Sequence, residues 1–174
     1  MPVLYGTKPA QRLLAKFEAE LGFNLSADYV DFLRRWGGIF IDGADYLDLD
    51  FNGVDNGVIS FASLFWVGSN NGNFDLIEQN ECVRDEMDFL NDFLVIGDDP
   101  GGNYYALARF DNVHKVLYWD RAHLHVDDTA KPSIAEVAEC GNLYYVADGF
   151  SGFLDMIVAG TKHMQFIAVD DWPG

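Results

Sequence analysis

The spacing of the apolar residues changes at Gly37-Gly38, and that change limits the folds open to this chain. Before it, Leu13, Leu14, Phe17 and Leu21 recur at helical intervals, as do Tyr29, Phe32, Leu33 and Trp36. The first set predicts a helix from about Pro9 to Leu21, with Pro9 in its first turn and Gly22 as terminator. The second predicts a helix from an N-cap at Ser26 to Trp36, closed by Gly37-Gly38. Two helices so close in sequence read as an N-terminal helical hairpin.

After Gly38 the apolar residues gather in short, aromatic-rich runs separated by Gly, Asn and Asp. Ile39 to Ile41, Tyr46 to Phe51, Val58 to Phe61 and Phe93 to Ile96 read as strands, as does Leu143 to Ala147. Tyr104 to Phe110 and Val116 to Trp119 read as a hairpin joined through Asp111-Asn112. Helical spacing returns from Asp75 to about Leu90. It returns again after a cap at Asp148, through Phe150, Phe153, Leu154, Ile157 and Val158. The segment from His123 to Pro132 is polar, and Ile134 to Cys140 carries a weaker pattern. The expected class is α+β, with the helices packed on a largely antiparallel twisted sheet. With 174 residues, 49% hydrophobic, and no repeat or linker, the chain is expected to form one domain over 1–174.

Charge narrows the partners. The chain holds 28 acids against 11 Lys and Arg, a net charge of −17. Residues 36 to 108 carry 14 acids and the single base Arg84, a net of −13. Such a surface cannot neutralise phosphates, so neither nucleic acid nor an anionic membrane is expected as partner. A basic protein is. The start, Met1 to Gly6, has neither the basic region nor the apolar stretch of a signal peptide, so a cytoplasmic location is expected. Cys82 and Cys140 match no metal or redox spacing and are expected to be buried thiols.

Several strings approach chemical motifs and then depart from them. Asp48-Leu49-Asp50-Phe51-Asn52-Gly53 copies the first half of a calcium loop, whose alternate oxygens converge on a hard cation. The required Glu at its twelfth position is Ile59, and its flanks read as strands. Asp48 and Asp50 are therefore expected to face outward from a strand. His123-Leu124-His125-Val126-Asp127-Asp128 is similar to a HxHxDH metal string without its last histidine, and four histidines in total are too few for such a centre. Solvent-facing histidines are expected instead. Gly149-Phe150-Ser151-Gly152-Phe153 does not match a nucleophile elbow, and Ser151 falls inside a predicted helix. No catalytic residues, metal or cofactor are expected. Gly97-Asp98-Asp99-Pro100-Gly101-Gly102-Asn103 reads as a tight turn between strands, with Asp98 and Asp99 projecting from it.

Four blocks of this sequence together resemble the SUKH superfamily of Smi/Knr-like domains. Leu25 to Gly38 is similar to its L-P-x-x-Y-x-x-F-L-x-x-aromatic-N-G string, with Ser26 for Pro and Gly37 for Asn. Ile96 to Tyr105 is similar to I-G-D-x-G-G-G-N, Val116 to Asp120 to V-Y-x-W-D, and Val146 to Leu154 to A-x-S-F-x-x-F-L. The blocks keep the family order over 25–154, leaving 160–174 as a C-terminal extension. The resemblance implies a binding module without a catalytic triad: an immunity protein that occludes a cognate bacterial toxin, often a nuclease. The alternative it implies is a regulatory or scaffold module with an endogenous partner. Family contacts vary with the partner, so the nominated binding residues come from this chain's own chemistry. They are Asp98 and Asp99, the second acidic cluster Asp48, Asp50 and Asp55, and Trp66 as an exposed aromatic anchor. Trp119 is expected in the core.

Overall fold

A computed structural model describes residues 2–6, 11–43 and 46–170. The elements begin with β1 (Pro2–Gly6), α1 (Gln11–Leu21), α2 (Ala27–Trp36), β2 (Ile39–Ile41), β3 (Leu47–Asp50), β4 (Val58–Phe61) and β5 (Ser63–Leu64). They continue with α3 (Leu76–Val83), β6 (Phe93–Asp98), β7 (Tyr104–Phe110), β8 (Val113–Asp120), β9 (Asn142–Ala147), α4 (Phe150–Thr161) and β10 (Gln165–Val169). One sheet has the strand order β10-β1-β2-β5-β6-β7-β8-β9, and β3 pairs with β4 in a separate ribbon. Among these strands β1 and β10 run parallel, and the other neighbours are antiparallel. The fold is α+β.

The chain opens with a strand, ahead of the two helices the sequence reading placed first. Pro9 lies outside the described residues. α2 has its packing partner in α4: the rings of Tyr29 and Phe32 meet Phe150 at 4.8 and 5.0 Å. Phe150 is fully buried there, so its truncation to Ala would cost about 3–5 kcal/mol. At the next turn of α4, Phe153 meets Tyr105 and Phe61. The middle of the sheet is covered on both faces, and Leu94, Val95, Ile96 and Ala106 are buried without alternation.

Caps and turns follow local chemistry with one exception. Gly37 closes α2 at φ 68°, and Asp75 accepts from the backbone N–H of Ile77 and Glu78 to start α3. α3 gives way after Val83 to a 3-10 turn over Arg84–Met87. Asp111 and Asn112 hold positive φ in the two-residue turn joining β7 and β8. Asp148, read as the cap of α4, instead pairs with Lys115 Nζ at 2.7 Å. The cap comes from α2, where Asp28 Oδ2 accepts from both N–H and Oγ–H of Ser151 at 2.8 Å. Burial pushes the Asp28 carboxyl up, but the bonds from Ser151 and the Tyr29 N–H bring it below its ordinary value.

Cys140 is buried as expected, but Cys82 is exposed because its position on α3 faces away from β6. No helix among the described residues is long and apolar enough to cross a membrane.

Candidate functional site

The turn after β6 is organised from within. Asp99 is 4% exposed, and its carboxylate accepts from the N–H of Gly101 (2.7 Å) and Asn103 (3.0 Å). It also accepts from Asn103 Nδ2 and the Tyr118 hydroxyl, each at 2.9 Å. Gly102 completes the turn at φ 85°. Asp98 is half-buried, and its Oδ1 accepts from Ser63 Oγ at 2.5 Å. Burial raises this carboxyl to about 7, with the Ser63 bond opposing and the Asp99 charge adding to the rise. Asp99, expected to project from the turn, instead holds it together, because the fold directs four donors onto it, while Asp98 ties the end of β6 to Ser63 of β5. Asp99 is interior and offers no surface contact.

Trp66 is also corrected. It is 5% exposed, packed with Leu4 beside Gly6. A Cβ at Gly6 would lie 2.8 Å from the indole, so the missing side chain makes the space that takes the ring in. Trp119 is fully buried, as expected.

The acids of the β3–β4 ribbon behave differently. Asp48 and Asp50 alternate with buried Leu47 and Leu49 and point outward. Asp55, in the connecting turn, accepts from Thr129 N–H (2.7 Å), Thr129 Oγ (3.0 Å) and Ala130 N–H (2.9 Å). The Thr129 and Ala130 backbone donors hold its carboxyl below the ordinary value. In return, Asp55 N–H donates to Asp128 Oδ2 at 2.9 Å. These bonds clasp the ribbon to the segment 121–131.

That segment has its own anchor. Buried Asp120 accepts from the N–H of Leu124 (2.7 Å) and His125 (2.8 Å). His125 is turned inward, against the expectation of solvent-facing histidines, and its ring stands 6.0 Å from Tyr118 and 6.1 Å from Tyr144. Its Nδ1 lies 3.1 Å from Asp128 Oδ2. Leu124 and Val126 are pushed outward, each 59% exposed.

Between ribbon and segment lies a cleft of about 490 Å³. Asp48, Asp55 and Asp128 line it with Tyr118 and His125, and exposed Tyr46 and Leu124 stand at its rim. No Lys or Arg lines it among the described residues. Asp50 lies outside, in a smaller groove with Met156 and Lys162 beside α4. Of the six nominated residues, the cleft brings together two, Asp48 and Asp55. Asp128, His125, Tyr118 and Leu124 were missed. Their signal was Leu124 and Val126, two large apolar residues in a polar connection with no strand or helix to bury them.

The walls of the cleft offer carboxylates and aromatic faces, and the Tyr118 hydroxyl is committed to Asp99. No group of three or more His, Cys, Asp or Glu among the described residues is placed to hold a metal ion. The cleft presents negative charge beside an apolar rim.

The family model described as the SMI1 / KNR4 family (SUKH-1) matches residues 8–156. No curated protein matches the chain.

Proposed function

The chain belongs to the SMI1 / KNR4 (SUKH-1) family, and from that premise we propose that it is a non-enzymatic immunity protein. It neutralises a cognate bacterial toxin, a nuclease being the favoured class, by binding a basic toxin domain and covering it. The observation that carries this reading is the cleft, where three carboxylates sit beside apolar side chains left in solvent. Carboxylates beside an apolar rim offer a basic partner surface both charge complementarity and apolar contact at one place. A nuclease surface, basic in order to hold phosphate, has the complementary charge.

The test is expression of the chain with a toxin encoded beside it. Toxicity should be relieved, and titration of the purified toxin should reach full inhibition at an equimolar end point. Unrelieved toxicity with the chain folded and abundant overturns the proposal. Inactivation that proceeds at substoichiometric amounts would overturn its non-enzymatic part.

A further inference from the structure

The two edges of the eight-stranded sheet differ. At β9 the outer edge is closed: Ile134 and Leu143 exchange both backbone bonds at 3.0 Å, and Ser133 Oγ accepts from Tyr145 N–H at 2.9 Å. At the other edge β10 pairs with β1 on one side, and no hydrogen bond among the described residues reaches its other side. Gln165 to Val169 include no charge, no proline and no bulge, the devices by which edge strands refuse a neighbour. Phe166 and Ile167, on opposite faces of the strand, are both exposed. Phe166 also borders an apolar groove of about 270 Å³ with Trp36 of α2, Ile39 of β2, and Leu154 and Val158 of α4.

The flanks of β10 are oppositely charged. Lys162 and His163 precede it, Asp170 follows it, and all three are exposed. A second copy laid antiparallel about Ile167 puts Gln165 opposite Val169, and Phe166 opposite Ala168, a ring beside a methyl on the face of the groove. It also brings Asp170 of each copy to the Lys162–His163 corner of the other. A parallel copy would set like charges together at both ends. For a chain of net charge −17, a strand free of carboxylates is also where two copies can meet without facing their own charge.

We propose that β10 pairs antiparallel with β10 of a second copy, so that the sheet continues across a two-fold axis at Ile167. Such an axis stands perpendicular to the sheet, so the α4 helices of both copies lie on one side of it. Half-exposed Val158 then borders the joint from each copy, beside the groove. The acidic cleft lies toward the opposite edge, on β8, and stays open, so this inference stands apart from the immunity reading.

Sedimentation equilibrium of the full chain over about a hundredfold range of concentration should show a shift from 19.5 kDa toward twice that mass. Ile167→Lys sets two like charges directly opposite each other and should weaken the dimer about tenfold or more, while Ile167→Val keeps it. Asp170→Lys should weaken it too, and adding Lys162→Asp should restore the lost affinity, a rescue that damage to folding would not give. Hydrogen exchange of the unmutated chain needs no variant: amide protection in β10 should rise with concentration. A chain that stays monomeric throughout overturns the proposal, as does a dimer indifferent to Ile167→Lys. A monomer with β10 protected at every dilution would assign the edge to the chain's own residues 171–174. Protection gained only with a toxin would assign it to that partner, and either result overturns the second copy.

Discussion

Asp98→Asn isolates a carboxyl that the fold raises to about 7 from an ordinary value of 3.8. The folded state holds this proton more tightly than the unfolded chain does. Between about pH 4 and pH 7 the folded protein therefore binds the extra proton, and stability falls as pH rises through that window. Each tenfold difference in proton affinity corresponds to about 1.4 kcal/mol, so the loss is at most about 4 kcal/mol. Solvent reaches the half-buried carboxyl, and roughly 2 kcal/mol is the expected size. The amide of the variant keeps an oxygen for the Ser63 hydroxyl and does not titrate. Urea unfolding of both proteins at pH 4 and pH 8 gives the comparison, since every other group is shared. The variant should gain on wild type by about 2 kcal/mol from the lower to the higher pH. An equal pH dependence in the two proteins would refute the reasoning, even if the substitution shifted stability by a constant amount.

Three further outcomes follow from the same geometry. Asp99→Ala orphans donors from Gly101, Asn103 and Tyr118 and should cost about 3–5 kcal/mol, seen as a drop in the urea midpoint at constant slope. Gly141→Ala should cost about 3 kcal/mol or more by thermal unfolding, since φ is 94° and the new Cβ would lie 2.3 Å from the Asp120 carbonyl oxygen. Stopped-flow association with a cationic toxin domain should slow steeply as salt rises from 0.01 to 0.1 M, where the Debye length shortens from about 30 to about 10 Å. Dissociation should change little, and a salt-independent association rate would remove the steering role of the −17 net charge.

What was legible in the sequence was whatever short-range physics dictates. Tyr29, Phe32 and Leu33 mark the buried face of α2, and Asp111-Asn112 marks the β7–β8 turn, because helix period and positive-φ preference act over a few residues. The outward face of Asp48 and Asp50 follows from strand alternation for the same reason. The ordered blocks from Leu25 to Leu154 pointed to the family, since caps, turns and core aromatics recur at their places in the chain. Tertiary structure decided the rest. β10 carries no alternation, with Gln165 to Ala168 exposed or nearly so, and exists as a strand because β1, at the other end of the chain, supplies its ladder. The start of α4 is capped by Asp28 from another helix, across 123 residues. Charge alone sends an aspartate to water, yet Asp99 is interior and Asp48 is not. The difference is the number of donors the folded chain brings to each carboxylate, and no local window of sequence contains that number.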